Sequence, residues 1–396
     1  MTSPKRIAIL TLSVGSGHLR AAEVIQRALL DGGDNVEVRS LDAIDVARPW
    51  FRWVYVGYHW WMLRHAPGLW RRPFERRQRK AQRATAPRWV FRRGCAEVLR
   101  QLKAFAPHLI IATEIGAAEI AALGKREGYY NSPILAVQTD FQTELPWVQR
   151  EIDVYGVGSE EAKAQLLGWG VSPNRVVLSG IPIDPAFGLA FDHAEVVRAL
   201  GLDPRRPVVL VMGGGMGPAP LDEIIQSLER CGLPLQVLAV SGRDNALKAR
   251  LEGQRGRIAL DLHVFGWSDN IPELMTAADL LITKPGGVTI TEALTVGLPM
   301  LLTHPVSGPE ERRARYLEQN GVAVQARSLE EIPRLVYQLL SSADKLAERA
   351  HRARELARPH AAHVIAHVAR ALLETATYID FLAAPPARPG ESAYLM

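Results

Sequence analysis

The chain has 396 residues, 47% of them hydrophobic and 22% charged, which are the proportions of an ordinary globular protein and predict two domains, each large enough for its own core. No apolar run is long enough to cross a bilayer, and Met-Thr-Ser-Pro-Lys-Arg leads straight into a strand with no signal-peptide apolar region. Cys95 and Cys231 are too few and too far apart for a disulfide framework or a zinc site, so the expected location is cytoplasmic.

Arg6–Ser13 reads as a buried strand, residues 14–18 (Val-Gly-Ser-Gly-His) as a glycine turn, Leu19–Leu30 as a helix and Val36–Leu41 as a second strand. This opening is Rossmann-like. Arg20 stands where a dinucleotide fingerprint needs its third glycine, which disfavours NAD. Gly15 and Gly17 offer backbone N–H groups to a phosphate or acceptor. His18, at the carboxyl end of the first strand, is either a proton acceptor or a loop histidine without a chemical role.

The net charge of +5 hides an asymmetry. Residues 46–93 hold thirteen Lys/Arg and one acid, Glu75, a local +12, so the rest of the chain carries −7. Trp50, Phe51, Trp53, Tyr55, Tyr58, Trp60, Trp61 and Trp70 crowd the same stretch, beside a run that includes Arg71, Arg72, Arg76 and Arg77. Aromatic rings favour headgroup depth and Lys/Arg attract anionic lipid, so an anionic membrane surface ranks ahead of nucleic acid, whose stacking platforms interleave the two residue types. The bland alternative is a surface helix with a packed aromatic face.

Strands follow at Leu109–Thr113, Ile134–Gln138, Val154–Gly158 and Val176–Leu178, with Asp140 just after the second of these and Ser159 as N-cap of a helix from Glu160. Residues 180–185, Gly-Ile-Pro-Ile-Asp-Pro, make a stiff linker. The second half repeats the rhythm. Val208–Met212 ends in a turn with Gly214 and Gly215, Leu235–Val240 ends near Arg243, and Leu280–Thr283 runs into Lys284-Pro285-Gly286-Gly287. A helix over Val288–Val296 follows, then a strand from Met300. A glycine turn before a helix is a place for phosphate, and Glu292, in the second helical turn, is placed to accept two ribose hydroxyls. Helices are expected near 328–357 and 360–382, then a Pro-rich disordered tail.

The string Gly266-Trp267-Ser268-Asp269-Asn270, then Thr283-Lys284-Pro285-Gly286-Gly287, then Thr291-Glu292-Ala293-Leu294, closely resembles the donor-binding half of the monogalactosyldiacylglycerol synthase and processive diacylglycerol glucosyltransferase family, relatives of the transferase that adds N-acetylglucosamine to lipid I. Gly15-Ser16-Gly17-His18, Asp140 and Trp147 also match, and the resemblance covers roughly residues 5–340. Two departures stand out: Glu144 occupies a position where the family has His, and Pro309 stands where a Gln is usual, although Glu310 and Glu311 agree.

The resemblance implies an α/β protein of the GT-B kind, two Rossmann-like domains facing across a cleft. The implied division is 1–182 for acceptor and membrane, 183–358 for the nucleotide sugar, 359–384 for a last helix packing back on the first domain, and 385–396 for the tail. It implies an inverting transfer of a hexose, galactose or glucose, from a UDP-sugar to diacylglycerol or a related lipid at the inner face of the cell membrane. The alternatives are a UDP-sugar 2-epimerase on the same fold and a non-catalytic nucleic-acid or lipid binder. No Asp-x-Asp pair is present and no cofactor is expected. Backbone N–H groups at the glycine turns, Arg243, Lys284 and the Thr289 hydroxyl are therefore expected to take the diphosphate. Trp267 would offer its face to uracil and the Ser268 backbone its edge. Glu310 and Glu311 would lie near the donor sugar. His18 is the expected base, with Asp140 as alternative or partner.

Overall fold

The computed structural model describes residues 3–13, 15–33, 35–58, 61–62, 84–213, 220–268, 270–305 and 308–383. Gly214, Gly215, Trp60, Arg71, Arg72, Arg76, Arg77 and the 385–396 tail lie outside them.

Among the described residues the chain forms two six-stranded sheets, parallel throughout. The first holds β1 (Lys5–Thr11), β2 (Val36–Asp42), β3 (Leu109–Ala112), β4 (Ile134–Val137), β5 (Val154–Val157) and β6 (Val176–Leu178), in the order β2-β1-β3-β4-β5-β6. The second holds β7 (Val208–Met212), β8 (Gln236–Val240), β9 (Asp261–Phe265), β10 (Leu280–Thr283), β11 (Met300–Leu302) and β12 (Ala323–Gln325), in the order β12-β11-β10-β7-β8-β9. The central strands are short apolar runs because helices cover both faces of each sheet, whereas the edge strand β2 is largely polar and open. In β1, Ile7 and Ile9 point into one helical layer while Ala8 and Leu10 point into the other.

The second sheet has the full Rossmann order. In the first, among the described residues, β2 is the edge strand beside β1, and residues 43–57 and 88–105 form helical segments between β2 and β3. Strand order reverses between β1 and β3, and between β7 and β10. Ligands of open α/β sheets bind beyond the carboxyl ends of the strands at such reversals. The two carboxyl edges share one cleft, as the contacts described below show.

The last helix, Ala361–Ala383, returns to the first sheet. Ile365, Ala366, Ala369 and Leu373 pack with Ala22, Ile25 and Leu29 of the Ser16–Leu30 helix. Gly156 of β5 permits this, since a Cβ there would lie 2.6 Å from Ile365 Cδ1. Ile365, Leu373, Ile25 and Leu29 each contribute about 1.5–3 kcal/mol when fully buried. Among the described residues no helix is long and apolar enough to cross a membrane.

Boundaries differ from the sequence reading where it bears on the site. The first helix begins at Ser16, three residues earlier than expected, so Gly17 and His18 sit in its first turn. The helix after β10 begins at Gly287. The helix Pro309–Gln319 and the strand β12 are additional. That helix buries only Ala314, Tyr316 and Leu317 among charged residues, so its apolar period is faint, and three residues of β12 are too few to show one.

Candidate active site

The first domain contributes the edges of β1, β3 and β4. Gly15 is extended (φ −147°, ψ 154°) and caps the Ser16–Leu30 helix, which has no side-chain cap and no acid in its first turn. Its first N–H groups are therefore free to meet an anion. His18 Nδ1 lies 3.1 Å from the Thr113 carbonyl oxygen and 2.8 Å from Thr139 Oγ1. A carbonyl only accepts, so the ring proton resides on Nδ1 and Nε2 keeps its lone pair. Burial of the ring lowers the His18 pKa to about 4. The Thr113 hydrogen bond raises it, Arg313 lowers it and Asp140 raises it. The imidazole is thus neutral at physiological pH and able to take a proton. Asp140 follows β4, where its Oδ1 accepts from the Phe141 N–H at 2.8 Å.

Glu114, just after β3, was not among the residues singled out by sequence. Its side chain caps the Ile115–Arg126 helix by accepting from the N–H groups of Gly116 (2.6 Å) and Ala117 (3.0 Å). It is buried, and burial raises its pKa to about 8. The two N–H groups oppose this, while Glu119 and Glu144 add to it. The folded protein therefore binds a proton there that the unfolded chain has released between about pH 4.5 and 8. Stability from this site is full below that window and is lost as pH rises through it. Glu114→Gln should accordingly melt like the parent near pH 4.5 and several degrees higher at pH 9, a difference on the order of a few kcal/mol. Parallel thermal melts across pH check this; identical curves at pH 9 refute it.

The second domain contributes Lys284–Gly287 after β10. Gly286 caps the Gly287–Val296 helix, again without a side-chain cap or first-turn acid. Two uncapped helix starts therefore meet at the cleft. A Cβ on Gly287 would lie 2.7 Å from the Thr139 carbonyl oxygen, and one on Gly17 would lie 3.2 Å from Val288 Cγ2. The two domains touch here through backbone that only glycine leaves open. Lys284 is buried; burial lowers its pKa, Glu310 raises it and Arg313 lowers it. Thr289 is half-buried in the first turn of its helix. Glu292 is half-buried in the second, its pKa raised to about 7 by burial, with Arg20 opposing and Asp184 adding. Glu310 and Glu311 occupy the first turn of the Pro309–Gln319 helix, where its dipole favours acids. Trp267 is 63% exposed, and the Arg243 guanidinium lies 4.2 Å from its ring centre. One ring face is thus already occupied, and a base would stack on the other or displace Arg243. The Ser268 hydroxyl donates to Asn270 Oδ1.

Side chains also cross the cleft. Arg20 and Arg27 pair with Asp184 at 3.0 and 3.2 Å, Arg312 with Glu144 at 3.2 Å, and Arg313 with Asp140 at 3.1 Å. Phe141 stacks on Tyr316, with ring centres 5.3 Å apart. Arg312 and Arg313 went unnoticed in the sequence. The available signal was a tandem arginine directly after the Glu310-Glu311 pair, beyond the carboxyl end of β11.

The aromatic segment divides into inner and outer residues. Phe51 is fully buried, stacked on Tyr55 at 5.2 Å and close to Gly94, where a Cβ would lie 2.4 Å from the Phe51 ring. Trp53, Tyr58 and Trp61 are exposed. Trp50 and Trp89 stack at 6.4 Å and, with Arg48, Val54, Pro87, Val90 and Arg93, line an open hollow of about 480 Å³. Among its described residues the segment therefore has a packed side and an exposed side.

Two Rossmann-like sheets that meet edge to edge, each presenting a glycine-led helix start to the common cleft, make the GT-B architecture. MurG of Acinetobacter baumannii has the same fold, with a TM-score of 0.62 at 16% identity over 93% of this chain and 100% of that one. The family described as monogalactosyldiacylglycerol (MGDG) synthase matches residues 18–183, and the glycosyltransferase family 28 C-terminal domain matches residues 208–366. A protein named processive diacylglycerol beta-glucosyltransferase from Bacillus subtilis (strain 168) is 28% identical over 365 residues, 87% of this chain and 90% of its own length. One of the same name from Bacillus licheniformis is 29% identical over 367 residues, 88% and 90%. Its two halves thus match an MGDG synthase domain and a glycosyltransferase family 28 C-terminal domain, the chain is similar to processive diacylglycerol glucosyltransferases over most of its length, and it is a UDP-sugar-dependent glycosyltransferase.

Proposed function

We propose that this protein transfers a hexose from a UDP-sugar to diacylglycerol or a related membrane lipid, inverting the anomeric centre and working without a metal ion. The observation that carries the reading is the convergence of a neutral, Nδ1-protonated His18 with the uncapped Gly286–Gly287 helix start across one cleft. His18 Nε2 takes the acceptor hydroxyl proton while the acceptor oxygen bonds to the anomeric carbon. The bond from that carbon to the diphosphate breaks, and UDP leaves with the electron pair. Attack opposite the leaving group makes a β-glycoside from an α-linked donor. The charge gathering on the diphosphate meets the N–H groups of the two helix starts and their dipoles. Glu292 holds the ribose, Trp267 the uracil, and Glu310 and Glu311 the donor sugar.

A diacylglycerol acceptor stays in the bilayer, so the first domain has to reach it. Exposed Trp53, Tyr58 and Trp61 on a segment of +12 supply both apolar anchoring and attraction to anionic lipid. This supports a cytoplasmic protein held peripherally at the inner face of the cell membrane. The epimerase shares this fold; what supports the transferase over it is the match of both halves of the chain to glycosyltransferase families.

The test is incubation with radiolabelled UDP-glucose, UDP-galactose and UDP-N-acetylglucosamine and diacylglycerol in neutral or anionic vesicles, with and without EDTA. Label should enter the organic phase as a β-hexosyl lipid, faster on anionic vesicles and undiminished by EDTA. Label confined to the aqueous phase, or activity that returns only with added Mg²⁺, would overturn the acceptor or the metal-free mechanism respectively.

A further inference from the structure

One residue of the second domain reaches both the strand end of the first domain that carries Asp140 and the glycine turn after β10. Arg313 comes from the Pro309–Gln319 helix of the second domain, and its side chain is only 13% exposed. Its Nε lies 3.1 Å from Asp140 Oδ1 in the first domain. Its Nη1 donates at 2.6 Å to the carbonyl of Pro285, inside the phosphate-binding turn. The same Nη1 would be 3.7 Å from a Cβ on Gly287, beside the place where the Thr139 carbonyl meets that glycine. The Nη1 hydrogen bond holds the guanidinium plane against Pro285, and from that fixed position its charge pairs with the Asp140 carboxylate, to which Nε is close but not aligned for a hydrogen bond. A lysine ammonium, a point charge on a flexible stem, cannot impose that geometry.

We propose that Arg313 is a positioning residue for the transfer, fixing the His18–Asp140 corner of the first domain against the Lys284–Gly287 turn of the second. The inference rests on the proposed roles of His18 and that turn. It adds a residue that neither the glycine turns nor the family motif strings single out. Removing it leaves Asp140 with the Phe141 N–H and leaves Pro285 without its side-chain donor. The domains keep other ties, through Arg312 to Glu144 and through Arg20 and Arg27 to Asp184, so the consequence is misalignment within a closed cleft.

Arg313 also has an electrostatic effect that a purely structural contact would lack. Arg20 shares the Ser16–Leu30 helix with His18, Glu114 and Asp140 directly follow Thr113 and Thr139, which hold the ring, and Lys284, Glu292 and Arg313 belong to the facing elements of the second domain. Arg20 is engaged with Glu23 and Asp184, and Glu292 faces Arg20. The charges that act on the His18 ring are Arg313, which disfavours its protonation, and Asp140, which favours it. Loss of Arg313 removes the first and releases the second, so His18 should become easier to protonate while the reaction becomes slower.

The experiment compares the parent with Arg313→Ala, Arg313→Lys and Arg312→Ala in the full chain. The His18 imidazole is followed by NMR during pH titration, UDP binding by calorimetry, and turnover with UDP-glucose and UDP-galactose. In Arg313→Ala the His18 midpoint should rise by roughly half a unit or more, and kcat should fall about 10–100-fold with donor KM within about threefold. Arg313→Lys should restore the midpoint but not kcat; as the milder change it also covers the case in which the alanine variant folds poorly. Arg312→Ala should leave the midpoint in place. An unmoved midpoint in Arg313→Ala, an unchanged kcat, or a rise in KM alone would each overturn the inference. His18→Ala separates the two levels. If that variant turns over normally, the base reading itself fails. If it is inactive while Arg313→Ala behaves like the parent, only the role of Arg313 fails.

Discussion

His18→Ala is expected to reduce turnover by about 10²–10⁴-fold while leaving UDP affinity nearly unchanged, the loss typical of a removed general base. The expectation follows from placement. Thr113 and Thr139 hold the ring by Nδ1, which leaves Nε2 as the basic atom, and burial keeps the imidazole neutral. The parent should therefore stay active down to about pH 5, and its acid limb belongs near the His18 value of about 4. Rates with saturating donor, together with UDP calorimetry, decide the matter. Near-normal turnover of His18→Ala alongside an inactive Asp140→Asn would move the base to Asp140.

The second large effect is expected at Glu292. Truncation to alanine removes the charged acceptor proposed for the ribose and should weaken UDP-hexose binding by on the order of 1.5–3 kcal/mol, roughly 10–150-fold. A pH signature comes with it. Burial raises the Glu292 pKa to about 7 in the free protein, whereas a ribose hydroxyl is better held by the carboxylate. Donor affinity should thus rise with pH through about 7 in the parent and stay flat over that range in Glu292→Ala. UDP-glucose suits the measurement because its diphosphate has no ionisation there. Equal affinities for parent and variant across pH 6–8 would remove Glu292 from the donor site.

Both predictions start from residues that stand out in the linear chain, and the reason is local. Apolar runs such as Leu280–Thr283, glycine turns such as Gly15–Gly17 and Gly286–Gly287, and the helix that carries Glu292 are each set by residues within a turn or two of one another. Their spacing is visible without the fold. So is the +12 of residues 46–93, because charge is additive along a sequence. Element order also settles the class, since alternating strands and helices close into parallel sheets in few ways.

What the tertiary structure alone decided is which groups share a neighbourhood, and what that does to their protons. His18 and Thr139 are 121 positions apart, and no local pattern ties them. Burial raises the Glu114 pKa and lowers that of Lys284, effects that depend on how much water the packed domains exclude. Phe51 turns inward while Trp53 turns outward, although both belong to one aromatic run. Arg313 looks like one more charge on a charged helix until folding sets it between Asp140 and Pro285. Helix and strand periods record which face is apolar. They hold no information on which polar residue of one domain will meet which residue of the other, because that follows from the relative placement of two separate cores.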